Sequence, residues 1–204
     1  MINSSITRPL KAFIRHFDRL LSRLNKIKEF STAPQVIVRI QVIRLSHSIL
    51  LPESDIPAGA KALLLHLWNE RIPPMPSEGA DLAYAQSFYR LMFASLETLG
   101  RHMQANESYQ DVCIVGGVTS HVWLNGSNNG GSSILRRLGF TLFPYPHPLK
   151  KIGVFLENFY TWVLMWTFNP ATLRSHKLLK LQRVEGWMTA TQFLDRFGNE
   201  DNLK

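Results

Sequence analysis

A run of β-branched residues between positions 36 and 43 constrains the fold of this chain more than any other feature. Val and Ile fill one parity of the run and share the other with Arg39 and Gln41, which predicts a strand within residues 35–48. A segment rich in turn-forming residues follows at 51–59, and an apolar run at 61–68 has the length of a second strand. We therefore expect a long antiparallel hairpin.

Helical spacing of apolar residues, with prolines and glycines between the segments, predicts five helices. They run from residue 10 to the 31–34 segment, from an Asp81 N-cap to about Gln104, from a Ser132 or Ser133 cap to Leu138, from 149 to 168, and from Thr189 or Thr191 to Phe197.

Two further strands complete the expected sheet. Residues 112–118 are nearly all apolar, which is typical of a central strand, and residues 140–143 form a short one. The fold class is thus α+β, with a small mixed or antiparallel sheet, packed helices and a basic amphipathic helix in front. We expect that helix and its linker to occupy residues 1–34 and a single α+β domain to occupy residues 35–204.

The net charge of +8 is unevenly distributed along the 204 residues. Residues 1–30 carry seven Lys or Arg against two acids, residues 31–110 six against seven, and residues 111–204 ten against six. Such a basic excess at the ends attracts anionic lipid or nucleic acid. One cysteine, no export signal and no stretch long enough to span a bilayer predict a cytoplasmic protein.

Two predicted helices have the composition of a membrane surface contact. The first combines an apolar stripe with basic residues, and the helix at 149–168 carries aromatic residues on more than one face. The residues expected to contact an anionic membrane are Lys11, Arg15, Arg19, Arg23, Trp162 and Trp166. The alternatives are that the first helix packs its stripe on the core, and that the aromatic helix packs in the core or a dimer interface.

The end of the second hairpin strand is a candidate catalytic site. His66 can act as a general base there, with Glu70 orienting it and Asn69 beside it. The alternative is a hydrogen-bonded structural histidine. Cys113 is expected to be inert in a buried strand.

A glycine-rich loop at 125–131, followed by a helix, is a candidate anion site. Arg136 and Arg137 can add contacts to an anion, and Thr119 can help bind a substrate opposite His66. The loop matches neither the dinucleotide-binding nor the P-loop glycine pattern, and a flexible surface turn is the alternative. No cofactor is therefore expected. Scattered histidines and the lone cysteine also predict no metal site.

Several short motifs, taken in order, resemble the YkoP-like domain, which occurs alone or attached to bacterial polysaccharide deacetylases. They are Leu65-His66-Leu67-Trp68-Asn69, Ser95-Leu96, Gly117-Val118-Thr119, Arg136-Arg137-Leu138-Gly139-Phe140 and Glu185-Gly186-Trp187-Met188-Thr189. The resemblance covers about residues 36–198, so the first helix is an addition to it. It implies a role in cell-envelope glycan or lipid-linked metabolism, without a settled activity. Deacetylation is not implied, because the metal motif of the deacetylase is absent.

Three functions are compatible with these features. The first is an accessory envelope protein at the inner face of the plasma membrane, which implies an envelope-biosynthesis protein as a possible partner. The second is a transferase acting on a lipid-linked or acyl substrate with His66 and Asn69. The third is nucleic-acid binding, which the absence of a recognised module and the apolar neighbours of the basic residues disfavour.

Overall fold

The protein has an α+β fold in a computed structural model that describes residues 4–119, 130–145, 150–174 and 183–199. The helices are α1 (Ser4–Leu24), α2 (Leu82–Gln104), α3 (Gly130–Arg137), α4 (Lys150–Phe168) and α5 (Ala190–Phe197), with 3-10 turns at Glu107–Tyr109 and Pro170–Arg174. The strands are β1 (Val38–Arg44), β2 (Ile49–Leu51), β3 (Ser54–Ile56), β4 (Lys61–Leu67), β5 (Ile114–Thr119), β6 (Thr141–Pro144) and β7 (Val184–Thr189). The predicted α+β class is confirmed.

The main sheet has five strands in the order β1-β4-β5-β7-β6. β4 and β5 are parallel, and the other neighbouring pairs are antiparallel. The predicted hairpin is confirmed, because β1 pairs with β4 from Val38 opposite Leu67 to Arg44 opposite Lys61. The predicted central strand is also confirmed, because β5 is the third of five.

Three short strands, β2, β3 and β7, were not predicted from the sequence. The segment 51–59 is not simply a loop, because β2 and β3 form a small hairpin whose Ile49, Leu51 and Ile56 are buried in a cluster with Trp187. β7 was missed altogether, although it lies between β5 and β6. Its Glu and Gly residues have low strand propensity, and pairing on both sides overrides that preference.

One face of the sheet packs against α2 and α5 to form the main core, which includes Leu63, Leu96, Leu99, Val115, Phe193 and Phe197. Ser95 joins α2 to the chain before β1: its Oγ accepts from the Ile37 N–H at 2.9 Å and donates to the Leu91 carbonyl at 2.6 Å. A buried backbone donor thereby has the partner that burial requires.

The helix ends show which capping predictions hold. Asp81 caps α2 as predicted, and of the two candidates for α5 it is Thr189, in a capping box with Gln192. The predicted caps of α3 were wrong, because α3 begins at Gly130, ahead of both Ser132 and Ser133. The side chain of Cys113 was expected in a buried strand but is exposed just before β5.

α1 is shorter at its C-terminus than the apolar spacing predicts. It ends at Leu24, and Lys26 has a φ of 56°, which a helix cannot continue through. Lys28 then pairs with Ile40 of β1. This turn directs the chain from α1 to the sheet, so that α1 lies beside the N-terminal end of β1 and against α4.

Candidate functional site

A cavity of about 920 Å³ lies where β4 and β5 end. That volume falls within the usual range of small-molecule sites. Its walls come from the ends of β1, β4 and β5 and from α1, α2, α3 and α4, and most of its surface is apolar. Representative apolar wall residues are Phe88, Met92, Ile134, Leu164, Met165 and Phe168.

A buried charged group stands in this apolar wall. The Asp18 carboxylate of α1 accepts a hydrogen bond of 2.7 Å from the Tyr160 hydroxyl of α4. Arg39 Nη2 of β1 lies 3.7 Å from Asp18 Oδ2, which is an ion pair beyond hydrogen-bonding distance. Burial, and then the hydrogen bond to Asp18, raise the pKa of Tyr160 well above its usual range, so its hydroxyl remains a donor at neutral pH.

Arg39 has fewer polar contacts than a buried arginine normally makes. The residue is 7% exposed, its Nε has no hydrogen-bond partner, and its guanidinium makes no hydrogen bond with any residue that the structure describes. The guanidinium also lies near the ring of Trp68, whose centroid is 5.8 Å from Cζ. Buried charges are normally paired and hydrogen-bonded, so the guanidinium of Arg39 has donors left without an acceptor among the described residues.

His66 faces the same side of the sheet as Arg39, because the two residues are directly opposite in the β1–β4 register. Its Nε2 lies 2.9 Å from the Gln41 amide oxygen, which fixes Nε2–H as the donor and leaves Nδ1 as an acceptor. Burial, and then the positive charge of Arg39, lower the pKa of His66 from 6.5 to about 4. The ring is therefore neutral at neutral pH.

A second charged pair lines the cavity on the side of α4. Arg183 Nε lies 3.2 Å from Glu157 Oε2, which is an ion pair without hydrogen-bond geometry. The Arg183 Nη2 group also donates to Thr161 Oγ1 at 3.3 Å. These two charges compensate each other, so the pair adds little net charge to the cavity.

The candidate catalytic residues from the sequence separate into two groups. His66 and Asn69 both line the cavity. Glu70 does not orient His66 as expected, because it accepts from Arg19 Nη2 at 2.7 Å and from Trp68 Nε1 at 3.3 Å. The residue that orients His66 is Gln41, through the hydrogen bond to Nε2. Gln41 lies in β1 two residues after Arg39, and nothing in the sequence pattern indicated that it would contact His66.

The candidate substrate-binding residues also separate. Thr119, the last residue of β5, lines the cavity. Arg136 and Arg137, at the end of α3, are exposed and lie outside the cavity lining. Most of the glycine-rich loop, residues 125–129, lies outside the described residues.

The two helices expected to contact a membrane pack against each other. Lys11 Nζ lies 5.1 Å from the Trp166 ring, and Arg15 Cζ lies 5.6 Å from the Phe168 ring. Arg19 pairs with Glu70, while Arg23 is exposed. Trp162 and Trp166 are half-buried.

Most of the apolar stripe of α1 nevertheless faces outward. Ile14 is buried and Leu21 half-buried, but Phe13 is 65% and Leu24 69% exposed. The exposed large apolar side chains of the two helices are Leu10, Phe13, Phe17, Leu20 and Leu24 on α1 and Phe155, Leu156 and Phe159 on α4. We call these eight residues the apolar patch. Grouped exposed apolar side chains of this kind mark interaction surfaces.

The fold and the site together define a small α+β domain with an apolar cavity beside its first helix, α1. Among the residues that the structure describes, no three His, Cys, Asp or Glu side chains are grouped to hold a metal ion, and no helix is long and apolar enough to cross a membrane. The chain belongs to the YkoP domain family, whose model matches residues 8–197. No curated protein and no solved structure matches it.

The family match is longer than the motifs in the sequence implied. It begins at residue 8 and so includes α1 from that point, whereas the resemblance was expected to begin at about residue 36. The YkoP family is a family of uncharacterised domains, so membership defines no reaction.

Proposed function

We propose that this YkoP domain acts at the cytoplasmic surface of a membrane, as an accessory protein of cell-envelope glycan or lipid-linked metabolism. The apolar patch is the observation that carries this proposal. An amphipathic helix that leaves phenylalanine and leucine side chains in water gains free energy when it places them in the headgroup boundary of a bilayer. The exposed side chains of α4 extend the contact beyond one helix.

Charge supports an anionic membrane as the partner. Residues 1–30 have a net charge of +5, and Arg23 is exposed on α1 beside the apolar patch. The side chain of Arg19 remains 60% exposed although it pairs with Glu70. A basic side chain near an anionic surface contributes about 1 kcal/mol, so several of them suffice for reversible attachment.

The envelope part of the proposal, including an envelope-biosynthesis protein as partner, rests on what the resemblance noted in the sequence implies about the family, namely an association with bacterial polysaccharide deacetylases. It gains indirect support from the cavity, whose apolar walls suit a lipid-linked compound better than a free sugar. A deletion strain is expected to show altered sensitivity to envelope-directed antibiotics. If the sensitivity is unaltered although the wild-type protein binds membranes, the envelope role is refuted and the membrane contact still stands.

Vesicle flotation tests the membrane contact. The wild-type protein is expected to float with vesicles of phosphatidylcholine and phosphatidylglycerol, to float less at high salt, and not to float with phosphatidylcholine alone. The variant Phe13→Ser/Leu24→Ser should lose flotation, because it removes two of the most exposed side chains of the patch.

A matched control removes two apolar side chains elsewhere. Leu50 is 65% and Leu82 74% exposed, and neither lies on α1 or α4, so Leu50→Ser/Leu82→Ser should float like the wild type. Equal flotation of both double variants and the wild type would show that the apolar patch is not the contact surface.

A transferase is the second candidate, and the geometry of His66 favours it. A neutral ring with Nδ1 as an acceptor, in the same apolar cavity as Asn69, can accept a hydrogen bond from a substrate hydroxyl. Its pKa of about 4 makes it a weak base, so a bound substrate must raise that pKa before the ring can take the proton. Substitution His66→Ala should then abolish complementation of a deletion strain. Full complementation by a folded His66→Ala protein would remove the proposed base.

Nucleic-acid binding, the third function considered from the sequence, predicts salt-sensitive retention of the protein on DNA. If the protein is not retained on DNA at low salt, that function is excluded.

A further inference from the structure

Arg39 is buried, and its guanidinium makes no hydrogen bond with any residue that the structure describes. Burying a guanidinium is costly unless acceptors surround it, and here the nearest carboxylate oxygen is 3.7 Å away. The Asp18 carboxylate is itself engaged by the Tyr160 hydroxyl on its other oxygen. Arg39 therefore has donors available to an acceptor that enters the cavity, which it lines.

The surroundings of Arg39 define what such an acceptor must look like. A guanidinium fork matches the two oxygens of a carboxylate or of a phosphate group, and an Nδ1 acceptor on His66 can take a hydrogen bond from a protonated oxygen or an adjacent hydroxyl. The other charged pair, Arg183 with Glu157, is internally compensated. A ligand with one oxyanion group near Arg39 thus fits better than one with several charges.

The rest of the cavity is suited to hydrocarbon. Beyond the polar groups named above, side chains such as Phe88, Leu164 and Met165 line it, and about 920 Å³ is far more than a head group alone requires. Burying an alkyl chain contributes about 0.8 kcal/mol for each CH₂ group removed from water. Head and chain sites of opposite polarity therefore occupy one continuous space.

We propose that the cavity binds a single-chain amphiphile with an oxyanion head, in which Arg39 contacts the carboxylate or phosphate and the apolar walls enclose the chain. This binding is separate from attachment to a membrane, since it involves the interior of the domain and a single ligand molecule. It also requires no reaction at His66.

Titration calorimetry with decanoate, decyl phosphate and decanol, each below its micellar concentration and without vesicles, tests the proposal. The two anions should bind with one site per chain and decanol should bind at least tenfold more weakly, because it lacks the partner for Arg39. Acetate and inorganic phosphate should give no measurable heat, because they lack the chain. Whichever of decanoate and decyl phosphate binds with the higher affinity shows whether the site prefers a carboxylate or a phosphate head group.

Two variants assign the binding to this cavity. Arg39→Gln should weaken decanoate or decyl phosphate binding about tenfold to a hundredfold and leave decanol within about twofold of the wild type. Ala85→Phe places a ring in the cavity from α2 and leaves the Arg39 side chain in the protein, and it should weaken the binding of all three ligands. Arg90→Gln is the matched control, because it removes an exposed arginine of α2 outside the cavity lining, and it should bind all three ligands like the wild type.

The results that overturn the proposal are equally definite. They are the absence of binding by both anions, equal affinity of decanol and the anions, or unchanged anion affinity in a folded Arg39→Gln protein. If circular dichroism shows that Arg39→Gln does not fold, Ala85→Phe decides the matter, and wild-type affinity in that variant refutes binding in the cavity. None of these results depends on the outcome of vesicle flotation.

Discussion

His66 should make the stability of this domain fall steeply between neutral and mildly acidic pH. Burial and the charge of Arg39 lower its pKa in the folded protein from 6.5 to about 4. Between those two values the unfolded chain binds a proton that the folded protein does not, so the free energy of unfolding decreases as pH falls. The contribution is fully present above pH 6.5 and is lost by about pH 4.

The size of the effect follows from the same pKa. One pKa unit corresponds to about 1.4 kcal/mol, so His66 accounts for a loss of about 3 kcal/mol over the whole interval. Substitution His66→Gln removes the titrating imidazole and introduces a side-chain amide that can donate to Gln41 in place of Nε2–H. Its free energy of unfolding should therefore decrease less on acidification, by about 3 kcal/mol, than that of the wild type.

Urea unfolding at several pH values between about 7 and 4 measures this difference. All other ionisable groups are identical in the two proteins, so their contributions cancel in the comparison. His16→Gln is the matched control, because His16 is exposed on α1, and its curve should parallel that of the wild type. Parallel curves for wild type and His66→Gln would refute the reasoning, since they would mean that His66 has the same pKa folded and unfolded.

Two further predictions concern packing around the sheet. Ser95→Ala should lower the free energy of unfolding by about 1–3 kcal/mol, because the buried Ile37 N–H loses its acceptor. Ser108→Ala, at an exposed residue, is the control, and an equally small effect of the two substitutions would contradict this account. Gly116→Ala should lower the free energy of unfolding by about 1–3 kcal/mol or more, because the added Cβ would lie 2.5 Å from Trp187 Cε3 and against the Gly186 carbonyl. Gly117→Ala also crowds the sheet, so the control is Ala83→Gly at an exposed position of α2, which should cost no more than about 1 kcal/mol. A melting temperature unchanged by Gly116→Ala would show that the strands can separate at no cost.

The parts of the fold that could be predicted are those with strong local periodicity. The β1–β4 hairpin, α2, β5 and α4 all appear in the sequence as long segments with one consistent pattern. β7 and the β2–β3 hairpin are short, and their stability comes from partners distant in sequence. Gly186 illustrates the point: it is unfavourable in an isolated strand, but it faces Gly117 and packs beside Leu142 within the sheet.

The site was only partly predictable for a similar reason. His66 and Asn69 were found because the strand end before a proline-rich loop is visible in the sequence. Arg39 gave a weak signal, as a charge between Val38 and Ile40, but its isolation depends on where Asp18 and Tyr160 lie after folding. No local pattern determines that distance.

The apolar stripe of α1 shows the limit of periodicity. Helical spacing established that Phe13, Ile14 and Leu21 share one side of a helix, yet it could not indicate which of them faces the protein. The structure turns Ile14 and Leu21 inward and Phe13 outward. Orientation is set by the contacts of Lys11 and Asp18 with α4, which are tertiary.

The position of β7 in the sheet has a consequence for how the chain is made. β6 is complete at Pro144, but its neighbour in the sheet is β7, which begins at Val184. A growing chain therefore leaves the ribosome with one strand lacking its partner and with a free edge on β5 until β7 follows. Unpaired edges promote association with other chains, so the nascent protein is most vulnerable to aggregation late in translation, and truncation before Val184 should yield inclusion bodies.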